Sequence, residues 1–271
     1  MSHLQILGDY LIYQPQIQNF QWNPATTLGG SPMFLAAAVA GYLSTTFVFS
    51  RLLTPALPSA LLRLISAAHN LVLLILSLLM SLGVTLASTS SLPASHLFCF
   101  PAANPPRQGG PLFFWAHVYY LSKLLEFVDT LIIILNRTSA RRLTFLHVYH
   151  HSAVVVMSYL WLATSMSLFP IALVTNAAVH VLMYGYYLLC AVGIRPGWKR
   201  VVTDCQIVQF VFGFAASFVM LFYHFCRGGC AGIWGWVFNA VFNASLLYLF
   251  VDFHKRNYAA KRKMAAAGKQ S

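Results

Sequence analysis

Phe145–Ala163 reads FLHVYHHSAVVVMSYLWLA, an apolar run with the length of a membrane-spanning helix and three histidines, His147, His150 and His151, inside it. At helical pitch the i, i+3 and i+4 positions share one face, so the imidazoles form a single polar patch on an otherwise lipid-compatible cylinder. Polar side chains are costly inside a bilayer, and the reading they invite is a functional site.

The rest of the chain agrees. Of its 271 residues 59% are hydrophobic and only 8% charged, against roughly 25% charged in an average soluble domain. Apolar runs long enough to span recur at about Met33–Leu52, Leu64–Ala87, Leu112–Leu135, Phe145–Ala163, Leu168–Val192, Val202–Phe225 and Ile233–Phe253. They predict an all-α integral membrane protein of seven transmembrane helices. The first run follows a polar segment without a basic n-region, so it is expected to remain as a span rather than be cleaved as a signal peptide.

Basic residues predict the orientation. With the N-terminus outside the cytoplasm, Arg51, Arg63, Arg137, Arg141, Arg142, Arg195, Lys199, Arg200 and the tail from Lys255 onward all fall on the cytoplasmic side. Arg107 and Arg227 alone face the other way. The net charge of +12 is thus mostly cytoplasmic, where orientation and contact with anionic lipid account for it. No recognition module surrounds these residues, so nucleic acid is not an expected partner. The organisation expected is a non-cytoplasmic segment over 1–30, one helical domain over 31–254 and a basic cytoplasmic tail over 255–271, with no repeat and no linker.

Further charges lie where lipid should be. Lys123, Glu126 and Asp129 share the third run, and each would cost roughly 2.5–3.5 kcal/mol if it faced lipid at the helix centre. They are expected to face the interior and one another, either as a lock between helices or as part of a site. In the fifth run Asn176, His180, Tyr184 and Tyr187 follow i, i+4, i+8 and i+11, a second polar stripe. The sixth run opens Thr203-Asp204-Cys205-Gln206-Ile207-Val208-Gln209, placing Gln206 and Gln209 one turn apart. One membrane amide is ordinary interhelical glue. Four consecutive spans with convergent stripes near their cytoplasmic ends instead predict a polar cavity open to that side. Phe210, Phe212, Phe214, Phe218 and Phe222 are candidates to line an apolar extension of it, or simply pack between helices. Cys99, Cys226 and Cys230 fall in the two non-cytoplasmic loops, where disulfides persist, and predict one bridge between those loops.

Taken in order, Lys123-x-x-Glu126-x-x-Asp129-Thr130, His147-x-x-His150-His151, His180-x-x-Met183-Tyr184-x-Tyr186-Tyr187 and Thr203-x-x-Gln206-x-x-Gln209 resemble the signature motifs of the ELO family of very-long-chain fatty-acid elongases, most closely its plant and algal branch. The resemblance covers nearly the whole chain. It implies a condensing enzyme, a very-long-chain 3-oxoacyl-CoA synthase, that joins acyl-CoA to malonyl-CoA and yields 3-ketoacyl-CoA, CO2 and free CoA. No cofactor or metal is implied. By matching to the family motif, His150 takes the acyl group as an acyl-imidazole with His180 opposite it. His147, His151, Asn176 and Gln209 orient the rings or contact the developing oxyanion. Lys123, Glu126, Asp129, Tyr184, Tyr187 and Gln206 shape the cavity.

The same resemblance implies that helices 2–7 form a barrel around an acyl tunnel, that Cys230 is the partner of Cys99, and that the protein is a multi-pass protein of the endoplasmic reticulum membrane with a lumenal N-terminus and cytoplasmic C-terminus. There it would work with 3-ketoacyl-CoA reductase, 3-hydroxyacyl-CoA dehydratase and enoyl-CoA reductase, as a monomer or a homodimer. Arg137, Lys199, Arg200, Lys255 and Arg256 stand at the cytoplasmic mouth, where they could hold CoA phosphates or merely obey the positive-inside rule. Two other readings compete. A di-iron desaturase or hydroxylase would need about eight histidines in several boxes, more than the interior supplies, and a seven-span transporter or receptor leaves the convergent His and Lys-Glu-Asp stripes unexplained.

Overall fold

A computed structural model describes residues 3–51, 57–136 and 143–256. The described chain forms α1 (His3–Leu11), α2 (Pro15–Gln18), α3 (Pro32–Arg51), α4 (Ser59–Ser91), a 3-10 turn (Ala94–Leu97), α5 (Gly110–Leu125), α6 (Phe127–Leu135), α7 (Phe145–Thr164), α8 (Phe169–Ala191), α9 (Lys199–Cys226) and α10 (Ile233–His254). Five of these, α3, α4, α8, α9 and α10, are by length and composition apolar enough to cross a membrane.

The other two expected spans depart from the simple reading. The third is broken at Glu126, which separates α5 from α6 with φ −62° and ψ −14°. There Asp129 N–H reaches back only three residues, to Glu126 O at 3.1 Å. One turn earlier Ser122 Oγ bonds Tyr119 O at 2.8 Å, a back-bond of the kind that bends helices. The fourth, α7, has the length, but its histidines dilute its apolar character. Its start is fixed by Thr144, whose Oγ1 accepts from His147 N–H at 3.2 Å as an N-cap. The second span, expected over Leu64–Ala87, runs on to Ser91, because Thr89 Oγ1 and Ser90 Oγ bond Thr85 O and Leu86 O at 2.9 and 2.7 Å and so keep their hydroxyls satisfied within the helix.

Neighbours follow in a closed order. α4 packs on α5, α5 on α7, α7 on α10, α10 on α9, α9 on α8, and α8 along much of α4. α3 stands outside this circuit against α6 and α7, while α1 and α2 pack on α4 and α5 at one end. Close approach of α4 to α5 depends on Gly83, where a Cβ would overlap the Trp115 indole. That indole in turn donates to Leu11 O at 2.8 Å and holds α1 in place. At the same end a disulfide joins Cys99 to Cys230 (Cα–Cα 5.2 Å), beside an isolated bridge between Pro101 and Cys230. The core is aromatic. Tyr119 stacks on Trp161 at 5.2 Å, and Phe113 meets Phe169 edge-on at 5.3 Å. Large apolar side chains such as Leu64, Val208, Phe225 and Tyr248 remain exposed on outer faces, as suits helices surrounded by lipid.

Candidate active site

Chain direction brings the polar stripes to one end of the bundle. The last turn of α5, the first turn of α6, the first turns of α7, the second half of α8 and the first half of α9 all lie opposite the disulfide end. Lys123 and Glu126 are wholly buried there. Lys123 Nζ donates to Glu126 Oε1 at 2.6 Å and lies 3.1 Å from His180 Nδ1. The same carboxylate oxygen is 3.3 Å from His180 Nδ1, and Glu126 Oε2 is 3.9 Å from His151 Nδ1. One carboxylate thus stands between a lysine and two imidazoles from α8 and α7. Lys123 Nζ also lies 4.5 Å over the Tyr119 ring, a cation–π contact.

A second layer surrounds the first. Asp129 Oδ1 is 3.0 Å from His69 Nε2 of α4, and Tyr184 OH donates to Asp129 Oδ2 at 3.1 Å. Thr130 Oγ1 lies 2.9 Å from His147 Nε2 and 3.0 Å from Tyr42 OH of α3. Tyr119 OH donates to Asn176 Oδ1 at 2.7 Å, and Asn176 Nδ2 reaches Gln209 Oε1 at 3.5 Å.

Of the three box histidines, His150 alone lines an apolar cavity between α5, α7, α8, α9 and α10. Its ring meets that of His151 at 5.2 Å and right angles. The cavity continues past Val154, Met157, Trp161, Phe210 and Leu246 to Leu168 at the far end. The arrangement is an imidazole at the head of an apolar slot, backed by a buried charge cluster. Among the described residues no three His, Cys, Asp or Glu side chains converge closely enough to hold a metal ion.

Comparison with known proteins gives this geometry a context. The family described as ELO: GNS1/SUR4 family matches residues 27–266. The chain belongs to this family. A fatty acid elongase 3-like protein of Arabidopsis thaliana is 28% identical over 94% of this chain and 92% of its own length. Fatty acid elongase A of Dictyostelium discoideum is 30% identical over 90% of each, and very long chain fatty acid elongase 5 of Xenopus laevis 36% identical over 53% of this chain and 48% of its own.

Not every ELO-motif residue joins the cluster. Tyr187, expected in the α8 stripe, is 42% exposed, and its ring meets those of Tyr184 and Tyr186 edge-on rather than joining the cluster. Gln206 turns to Met183 Sδ at 3.5 Å rather than to an imidazole. On α9, Phe210 and Phe214 line the cavity, but Phe212, Phe218 and Phe222 are exposed. Phe212 stands on the far side of α9 from Phe210, and the i+4 row from Phe210 through Phe214 drifts by about 40° per step, which carries Phe218 and Phe222 off the cavity face. Lys199, Arg200, Lys255 and Arg256 are all exposed at the site's end of the bundle, Arg200 beside Asp204 and Arg256 beside Asp252. Arg137 lies outside the described residues. Two contributors were not singled out from sequence, the Tyr42 hydroxyl and the His69 ring against Asp129, since a lone polar residue on an apolar helix leaves no periodic signal.

Proposed function

We propose that this ELO-family protein catalyses the condensing step of fatty-acid elongation, acyl-CoA plus malonyl-CoA giving 3-ketoacyl-CoA, CO2 and CoA, as a very-long-chain 3-oxoacyl-CoA synthase. The observation that carries the reading is His150 at the head of the apolar cavity. The His150 imidazole attacks the thioester carbonyl, the C–S bond breaks, and CoA leaves as a thiolate that takes the proton the ring gives up. Malonyl-CoA then loses CO2, and its C–C bonding pair becomes an enolate. That carbon attacks the acyl-imidazole, forms the new C–C bond and releases the imidazole, which recovers a proton. His180, held by Lys123 and Glu126, and Asn176 are the groups available to meet the developing oxyanion. The apolar slot excludes water that would hydrolyse the intermediate and gains roughly 0.8 kcal/mol per buried CH2.

Seven crossings serve this reading best. α5 and α6 together make one broken span, about 39 Å long at 1.5 Å per residue, and the circuit of α4 through α10 becomes a barrel around the acyl chain with α3 outside. The N-terminus is then lumenal, and the basic ends of α9 and α10 face cytoplasmic CoA phosphates. The product still carries a ketone, so a ketoreductase, a dehydratase and an enoyl reductase must act next, which places the protein in the endoplasmic reticulum membrane beside them. Microsomes bearing the His150→Ala protein should release no CO2 from labelled malonyl-CoA above background, while the protein remains in the membrane. Retention of most wild-type release would overturn the covalent role, and absence of release by the wild type with any acyl-CoA would overturn the reaction.

A further inference from the structure

Two polar atoms in the apolar cavity lack a partner. Asn239 on α10 is 8% exposed and Trp161 on α7 1% exposed, and both line the slot. Asn239 Oδ1 and Trp161 Nε1 are sealed from solvent and bond nothing among the described residues. On the same wall Asn176 is satisfied by Tyr119, Thr175 by Ile171 O at 2.9 Å, and Ser217 by Trp236 Nε1 at 3.2 Å, and Asn243 stands one turn along α10 from Asn239. A buried acceptor or donor left unmade is expensive, and a slot shaped only for alkane would be better lined by Leu and Phe.

The two residues share a level along the bundle. Gly235 of α10 packs against Thr164 at the end of α7, and α10 runs antiparallel to α7. One turn on in α10 is Asn239, and one turn back in α7 are Leu160 and Trp161. The indole is held by its stack on Tyr119, so its N–H is preoriented. Trp161 lies eleven residues beyond His150 on one helix, about 16 Å at 1.5 Å per residue. An extended carbon chain of bonds near 1.5 Å advances about 1.25 Å per carbon, so this level is reached roughly a dozen carbons from a thioester at His150.

We propose that the cavity selects acyl chains bearing a hydroxyl group about a dozen carbons from the thioester, the hydroxyl donating to Asn239 Oδ1 and accepting from Trp161 Nε1. A hydroxyl is the smallest substituent that satisfies both atoms at once. The inference rests on the acyl-CoA reading of the slot, but it is tested by affinity as well as by turnover.

Detergent-purified full-length protein would be titrated with 12-hydroxyoctadecanoyl-CoA, octadecanoyl-CoA and the cis-9,12-dienoyl analogue, and the same thioesters offered with malonyl-CoA. The hydroxylated chain should bind about tenfold tighter than the plain one, the factor that ~1.4 kcal/mol supplies. Asn239→Leu should remove that preference and tighten plain-chain binding. Trp161→Phe, which keeps the stacked ring and removes only the N–H, should weaken the preference on its own. Equal affinity for all three chains, tightest binding of the diene, or binding of none would overturn the proposal. Absence of condensation with every thioester, alongside a preserved hydroxyl preference in binding, would count against the reaction and leave the hydroxyl site standing.

Discussion

Glu126 shows how much one carboxylate can hold. It compensates Lys123, positions His180 and faces His151 from a wholly buried position, so its replacement acts on stability and chemistry together. Glu126→Gln leaves a buried ammonium uncompensated and should destabilise the protein by about 3–5 kcal/mol, read as thermal unfolding in detergent. The double variant Lys123→Met/Glu126→Gln removes both partners and should recover most of that loss while condensation stays abolished. Equal melting of single and double variants would show the pair to be uncoupled. At this scale the sequence was informative wherever polar residues repeated at helical spacing. Lys123, Glu126 and Asp129 do so, as do the box histidines and the α8 stripe through Tyr184. Tyr42 and Trp161 were not legible as parts of a site, since each acquires meaning only from what it faces, whereas Asn239 and Asn243 form an i, i+4 pair on α10 that the reading of the seventh run passed over.

The elements were legible as apolar runs, and most of their ends lie within a few residues of the expected ones. The break at Glu126 was not, because a run of apolar letters does not say where the hydrogen-bond ladder skips. The outward turn of Phe212 follows from helical periodicity, but Phe218 and Phe222 continue the i+4 row of Phe210 and Phe214 and leave the cavity only through the slow drift of that row round the helix. Packing between elements sets a separate prediction. Gly83→Ala places a methyl in the Trp115 indole, which must then shift off Leu11 O. Overpacking of this kind costs about 1–3 kcal/mol and should lower the melting temperature by several degrees. An unchanged melting curve would show that α4 and α5 can separate freely at this point.

Across the whole molecule the two ends do different work. One gathers charge, imidazole and the cavity's head. The other is tied by the Cys99–Cys230 disulfide, which spans a sequence separation of 131 residues. A loop that long contributes up to about 4–5 kcal/mol by chain entropy, less here because insertion already restrains the unfolded chain. Cys230→Ser should melt lower than wild type, and reductant should lower the wild type but not the variant. Peptide mapping without reductant that finds Cys99 and Cys230 both alkylatable would remove the bridge from the account.

α3 offers a lesson for anyone building chimeras. An outlying helix is the piece a protein engineer would exchange first, since it shares few neighbours and a foreign apolar segment should fill its place. Yet the hydroxyl of Tyr42 reaches Thr130, and Thr130 reaches the ring nitrogen of His147, so an exchanged helix would carry off one end of a chain of hydrogen bonds that runs into the candidate site. Tyr42→Phe alone should slow turnover several-fold with little change in apparent acyl-CoA affinity. A transplanted α3 that keeps tyrosine at this position should retain the rate, and one with phenylalanine should not. Equal rates for the two transplants would mean that the helix is interchangeable cladding after all.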